Sequence, residues 1–403
     1  MYLVEQHIIT INDNRYKDLD RICFLSKNLY NAALYIIKQE FLSTGKWIRS
    51  GELNKRMVTE DNIDYRAMSG SSSQQILMAL DKNLKSYFSA IKAWKRDNKK
   101  FTGCPKFPRY KHKTKGRNVF SYSYAQFRHK GNFIHFPKKE GLSPLKTNCK
   151  EGTVKQVRFV PKPDCYVIEV VYESACKDQL NDNNKVMAID LGVNNLASIS
   201  TNVDNKSILI DGRRLKSINQ YYNKKRSKIQ QQLKKVNGKE NSRRLMSLTR
   251  KRNNKVKDYL HKASKEIINT CIEKDITTLI VGHNDGWKQK VKLGKRNNQN
   301  FVSIPFEMFI SMLRYKSERQ GLRFVEVNES HTSKCSSFDL EKICHHETYV
   351  GKRIRRGLFK TKEGVLINAD INGSYNIMRK VKGDAIMPPY TGFGYNPVKK
   401  FIN

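Results

Sequence analysis

Three apolar runs in this chain each lead into a carboxylate, and that pattern constrains the fold more than any other. VMAI runs into Asp190, RFVEVN into Glu329 and VLINA into Asp370. A lone buried carboxylate at a strand end is costly unless it bonds backbone or a metal. Strand ends of one sheet lie close in space, so the acids converge if the three runs share a sheet. Each acid also has a bland reading. Asp190 can bond the turn that follows it, as Asp-Leu-Gly often does. Asp370 can be a helix N-cap, with Asn372 as the rival cap. Glu329 can be a solvated strand-end acid. Jointly they suit two divalent ions about 4 Å apart, which cut phosphodiesters. Carboxylate oxygen and water suit Mg²⁺ or Mn²⁺. In FVEVNES the alternation puts Glu326 on the face opposite Glu329, and which face is the inner one stays open.

The acids stand out because the rest of the chain is basic. It carries 77 Lys and Arg against 37 Asp and Glu, a net +40. Such self-repulsion calls for a polyanionic partner, and nucleic acid is the first candidate. A membrane partner is not expected: no run of about 18 apolar residues exists. The start, MYLVEQHIITIND, lacks the basic-apolar-small order of a signal peptide, so a cytoplasmic location is expected. The eight cysteines form no CxxC pair and are expected to be free thiols.

Along the chain, Tyr2 to Ile11 predicts a strand. Residues 17–43 and 73–95 predict helices from apolar steps of three and four, such as Leu19, Ile22, Leu25, Leu29 and Ile76, Leu77, Leu80, Leu84. The stretch between them reads as polar and irregular. VFSYSYAQF, NFIHF, VKQVRFV and YVIEVVYE predict strands of a barrel or sandwich, and 174–185 a linker. From Val186 come three strands, MAIDLG, NLASIST and KSILIDG. A long basic helical hairpin follows over 213–270, with VNGKEN as its turn. Then come strand TTLIVG, helix FEMFISMLRYKSERQG, strand LRFVEVN, an irregular insert at 331–365, and a helix from about Ile371 to Lys382. This alternation points to a three-layer α/β unit.

Two surfaces read as nucleic-acid contacts. Residues 92–117 hold eleven Lys and Arg with Trp94, Phe101, Phe107 and Tyr110 interleaved. Cations for phosphates and aromatics for stacking single out Lys95, Arg96, Lys106, Phe107, Arg109, Tyr110 and Lys111. On the hairpin, Lys224, Lys225, Arg226 and Lys228 can track a duplex backbone. The alternative for both is a solvated basic surface. Asn284 and Trp287 have two readings each: functional residues, or, as the safer reading, a turn asparagine and a packed aromatic.

AIDLGVNNLASIS, GRRLKSINQYYNKKRSKIQ, DINGSYNIMRKV and KFPRYKHK together resemble the TnpB family, the OrfB proteins of insertion sequences, related to Fanzor proteins and type V CRISPR effectors. The first and third look like RuvC motifs. The resemblance implies an α/β plus β-barrel fold: an RNase H-like RuvC nuclease domain preceded by a wedge β-barrel with an inserted helical recognition domain. It implies wedge barrel over 1–13 and 101–180, recognition domain over 14–100, RuvC domain over 181–330 with the basic hairpin at 213–270, a target-nucleic-acid-binding insert at 331–365, and the third RuvC motif with a tail over 366–403. The activity implied is RNA-guided DNA cleavage at one two-metal site held by Asp190, Glu329 and Asp370. The partners implied are a guide RNA and double-stranded DNA with a short flanking motif, bound by a monomer or by a dimer on one RNA. The origin implied is a mobile element or a CRISPR-like derivative.

Two departures stand out. Family members usually carry a second-motif glutamate on the apolar strand, I-x-E-x-L, where this chain has Gly282 and His283. A subgroup with the pattern GxNxxWKQ places it later, and Glu329 would be that residue. The insert carries Cys335, Cys344, His345 and His346 instead of two CxxC pairs, so no zinc is expected. Two rivals therefore stay open: a nuclease-dead, RNA-guided repressor, and an RNase H-like transposase or recombinase.

Overall fold

The computed structural model describes residues 1–204, 206–284, 294–387 and 397–402. They divide into two compact units, Met1–Ser174 and Ala175–Asn403.

In the first unit the two long apolar-stripe segments are helices. They are α1 (Tyr16–Thr44) and α4 (Gly70–Arg96), and they bury Leu19, Ile22, Leu29, Ala33 and Ile37 with Ile76, Leu77, Leu80 and Leu84. Each Leu and Ile among them contributes roughly 1.5–3 kcal/mol by leaving water. Helix α1 stops at Gly45, whose φ of 68° permits the left-handed turn that closes onto the Phe41 carbonyl. The stretch expected to be irregular instead forms two short helices, α2 (Ser50–Thr59) and α3 (Ile63–Arg66). Leu53 and Met57, one helical turn apart, are buried, and the Asn62 side chain caps α3 by accepting from the Asp64 and Tyr65 amides.

Around the helices runs a β framework. Strand β1 (Tyr2–Ile9) is followed after the helices by β2 (Phe120–Ser123), β3 (Arg128–Lys130), β4 (Phe133–His135), β5 (Leu145–Lys146), β6 (Val154–Pro161) and β7 (Tyr166–Glu173). The first sheet has the order β1-β7-β6-β2, all antiparallel, with Tyr2 opposite Glu173 and Ile9 opposite Tyr166. A second sheet has the order β3-β4-β5. Among the described residues no ladder closes the first sheet onto itself.

The basic tract is fastened to α1. Lys27, buried, donates to the Lys113 carbonyl at 2.6 Å. Asn31 both donates to the Lys111 carbonyl and accepts its amide, each at 2.9 Å. The Asn118 amide donates to the Cys23 carbonyl, and Arg117 pairs with Asp20 at 2.7 Å.

The second unit is a three-layer α/β body. Its strands are β8 (Val186–Leu191), β9 (Asn195–Thr201), β10 (Ile208–Asp211), β11 (Thr278–Gly282) and β12 (Arg323–Val327), with β13 (Lys352–Arg355), β14 (Leu358–Lys360) and β15 (Leu366–Asn368) in a separate small sheet and β16 (Val398–Lys400) at an edge. Its helices are α5 (Arg213–Asn237), α6 (Arg243–Glu273), α7 (Lys295–Val302), α8 (Phe306–Arg319) and α9 (Ala369–Lys382). The central sheet has the order β12-β11-β8-β9-β10-β16; β8, β11 and β12 are mutually parallel and β9 runs against β8.

Alternation decides which layer each residue meets. Met187, Ile189, Leu279 and Val281 pack with Leu260, Ala263 and Ile267 of α6 and Phe309 and Leu313 of α8. Ala188 and Ile280 pack with Ile371, Tyr375, Ile377 and Met378 of α9 on the other face. Both faces being covered, the parallel strands are apolar throughout. The α/β unit and the β-rich first unit expected from the sequence are both present. The insert, expected to be irregular, contains the hairpin β13–β14, turning at Gly357 with φ 78°.

Candidate active site

Asp190 lies at the end of β8, opposite Ser198 of β9, on the same face as Ala188 and therefore on the α9 side. The central sheet does not bring Asp370 to it in the expected way. The run that precedes Asp370 becomes β15, which pairs with β14 in the small sheet, not with β8, β11 or β12. Asp370 arrives instead in the first turn of α9, which packs across the β8 face. Neither Asp370 nor Asn372 caps that helix. Asn368 does, accepting from the Asp370 and Ile371 amides at 3.0 and 3.2 Å. Asn372 is buried and ties the helix to the insert. It accepts from the Ser337 amide and hydroxyl and donates to the Cys335 carbonyl.

Glu329 stands two residues beyond β12. Val325 and Val327 pack with the α9 layer and Phe324 with the α8 layer, so parity sends Glu329 toward α9. Glu326 goes the other way and pairs with Arg314 of α8. The acid on the Asp190 side is therefore Glu329.

Asp190 feels the other two acids. Burial first, then the charges of Glu329 and Asp370, hold Asp190 well above the usual carboxylate range, against the pull of Arg353. Burial pushes Glu329 up to about 7, opposed by His283 and Lys380. Asp370 is held by Asn195 at 2.9 Å on one oxygen and Arg353 at 3.3 Å on the other. Glu329 accepts from Asn284 at 3.3 Å through Oε1, while its buried Oε2 has no hydrogen-bond partner among the described residues. Glycines set the close approaches: a Cβ on Gly373 would lie 2.7 Å from Asp190 Oδ2. A Cβ on Gly282 would lie 2.4 Å from Ile377 Cδ1 and 3.3 Å from Glu329 Oε2.

A cleft of about 420 Å³ opens beside Asp190 and Asp370, and Arg213, Arg353 and Arg356 line it. Sequence reasoning missed these three arginines and Asn195. GKRIRRG reads only as part of a charged insert, and nothing in its spacing reveals that β13–β14 folds back toward Asp370. The donors offered by the acids are all oxygen, one of them buried and unsatisfied, and their mutual repulsion needs a positive charge. That chemistry fits a hard divalent cation. As they stand, no three His, Cys, Asp or Glu side chains among the described residues are grouped closely enough to grip an ion.

Elsewhere in the insert, Cys335 is buried with Sγ 3.5 Å from the Lys342 and Cys344 carbonyls. Cys344 Sγ is 3.4 Å from His346 Nε2, itself 2.7 Å from the Lys342 carbonyl, and the His345 ring packs edge-on to His331.

Of the basic tract, Lys95, Arg96, Lys106, Arg109, Tyr110 and Lys111 are exposed. Phe107 is not available for stacking in the same way, because it packs against Tyr87 and Phe41 at 5.1 and 6.2 Å between ring centres. Lys38 lies over the Tyr110 ring at 4.3 Å. On α5, Lys224, Lys225, Arg226 and Lys228 are exposed. Trp287 lies outside the described residues.

A mixed sheet with Asp190 and Glu329 at or just beyond the ends of its parallel strands, Asp370 in the first turn of a helix packed across it, helices on both faces and a cationic cleft beside Asp190 and Asp370 has the RNase H-like architecture of RuvC domains. Comparison with known proteins finds the same resemblance. Residues 168–288 match the OrfB_IS605 family model, described as a probable transposase, and residues 306–377 match the Cas12f1-like TNB domain model. The chain is 24% identical over 260 residues to the TnpB-like protein ORF457 of Acidianus two-tailed virus, covering 62% of this chain and 50% of that one. It is 29% identical over 196 residues to the TnpB-like protein MJ0751 of Methanocaldococcus jannaschii, covering 46% and 66%. The chain thus spans half to two thirds of the length of these curated relatives. Its fold is similar to that of the protein in the Cas12f1-sgRNA-target DNA complex, with TM-score 0.54 and 14% identity over 90% of this chain and 81% of that one. The resemblance to the TnpB family is borne out. No helix among the described residues is long and apolar enough to cross a membrane.

Proposed function

We propose that this protein is an RNA-guided DNA endonuclease of mobile-element origin, cutting its target at a single metal-dependent site. The observation that carries the reading is that Asp190, Glu329 and Asp370 come from three separate elements to the α9 side of the central sheet, where the charges of Glu329 and Asp370 help raise the Asp190 carboxyl. Asp190, Glu329 and Asp370 would hold Mg²⁺ or Mn²⁺, which when bound polarises a phosphodiester and lowers the pKa of an attacking water. The chain's own residues do the rest. Arg213, Arg353 and Arg356 offer planar donors to phosphate oxygens at the mouth of the cleft. Asn195 orients the Asp370 carboxylate from the neighbouring strand. The exposed cations of α5 and of the 92–117 tract would follow nucleic-acid backbones, leaving sequence choice to the guide and a short flanking motif. Such a protein would act in the cytoplasm, as a monomer or as a dimer on one RNA.

The test is cleavage by the protein purified with its RNA, supplied with the matching target and a library of flanking motifs. Asp190→Ala should lower the cutting rate on the order of 1000-fold, the scale of losing several kcal/mol of transition-state stabilisation. Wild-type cutting by that variant would refute the site. Cutting that persists after all RNA is removed would refute the guide. A wild-type protein that binds its target with the RNA but never cuts would establish the repressor instead.

A further inference from the structure

Glu329 differs from the other two acids in how it is held. Asp190 belongs to a strand ladder and Asp370 to a capped helix, but Glu329 lies in neither a strand nor a helix. A side chain there would wander unless something outside regular structure fixed it. Four residues do so. Asn284 accepts the Glu329 amide through Oδ1 at 3.1 Å and donates through Nδ2 to the carboxylate Oε1 at 3.3 Å. Lys380 of α9 donates to the carbonyls on either side, Asn328 at 2.9 Å and Ser330 at 2.7 Å. Thr332 donates to the Glu329 carbonyl from its amide at 3.2 Å and from its hydroxyl at 2.7 Å. The His283 amide donates to the Val327 carbonyl at 2.9 Å, which extends the β11–β12 ladder and sets Asn284 beside Glu329.

We infer that Asn284 and Lys380 are positioning residues for the Glu329 carboxylate, Asn284 fixing the side chain and Lys380 the loop that carries it. The two come from different elements, the residues after β11 and the later part of α9, and neither faces the cleft lined by Asp190 and Asp370. Their common object is the one acid that regular structure leaves unsupported. Thr332 completes the loop but touches only backbone. Oε1 accepts one bond from the amide, whereas Oε2 has no hydrogen-bond partner among the described residues and is the oxygen left wholly to a ligand. This rests on reading Glu329 as a metal-holding acid, and the test separates the two.

The full-length protein is titrated with Mn²⁺ by calorimetry, well below its thermal transition, so that every variant is folded when measured. Outer residues that orient a metal-holding side chain typically cost 10–100-fold in metal affinity when removed. Asn284→Ala and Lys380→Met should each weaken Mn²⁺ binding roughly 10-fold or more. Glu326→Gln, on the other face, should leave it unchanged. Glu329→Gln should weaken it at least as much as Asn284→Ala. If Glu329→Gln and Asp190→Asn weaken binding while Asn284→Ala and Lys380→Met do not, the positioning role is wrong and the metal site stands. If Glu329→Gln and Asp190→Asn change nothing, the metal-site reading fails and the positioning role fails with it.

Discussion

Gly282 shows why β11 has no room for an acidic side chain at this position. Its backbone faces α9 so closely that a Cβ would meet Ile377, a fully buried side chain, at 2.4 Å. A glutamate on β11 at this position would have to displace the core of the α9 layer. The Glu329 carboxylate instead comes across from the end of β12 and lies over Gly282. Overpacking of this kind costs about 1–3 kcal/mol. Gly282→Ala should therefore lower stability by that amount in urea unfolding, and Ile377→Val, which removes Cδ1, should restore part of it in the double variant. A neutral Gly282→Ala would remove the crowding explanation. At this scale the sequence was legible in parity but not in depth. Alternation in FVEVNES separates Glu326 from Glu329, yet both faces of β12 are covered, so no hydropathy signal tells which cover holds Asp190.

Among the elements, long periodic segments are legible and short or charged ones are not. The stripe predicting a helix over 17–43 matches the helix Tyr16–Thr44, since a stripe this long repeats often enough to define its own period. Helices α2 and α3 and the hairpin β13–β14 carry one or two buried side chains each, too few to show any period. Partner choice is less legible still: VLINA reads correctly as extended, but nothing local says that β15 joins β14. The packing of α8 on α6 gives a direct check. Lys316 of α8 donates to the His261 carbonyl at 2.8 Å and the Ser264 hydroxyl at 2.6 Å. Burial, and then the nearby Lys265, bring its pKa down from 10.5 to about 8. Between those values the unfolded chain binds more protons than the folded one, so this group makes stability rise with pH across that window. Melting temperatures at pH 8, 9 and 10 should show the rise, and Lys316→Met should flatten it.

For the whole molecule, a net +40 makes salt the most telling variable. Removing one cation that meets a phosphate should make the dependence of log affinity on log salt shallower by roughly 0.7–0.9. Replacing Lys224, Lys225, Arg226 and Lys228 with glutamine should reduce the slope for RNA or DNA binding by up to about 3.6. An unchanged slope would show that this face of α5 meets no phosphate. The composition announced a polyanion but could not say how the basic residues would be presented, and here the fastening of residues 111–118 to α1 matters. A free basic tether surrenders its conformational freedom when it meets its partner, at a cost of about 1–2 kcal/mol for each residue ordered. With Lys27, Asn31, Asp20 and the Cys23 carbonyl gripping its backbone and Arg117, this segment has already surrendered that freedom during folding. Under the proposed function it would meet nucleic acid already ordered, so its affinity would depend on the packing of α1, which grips it.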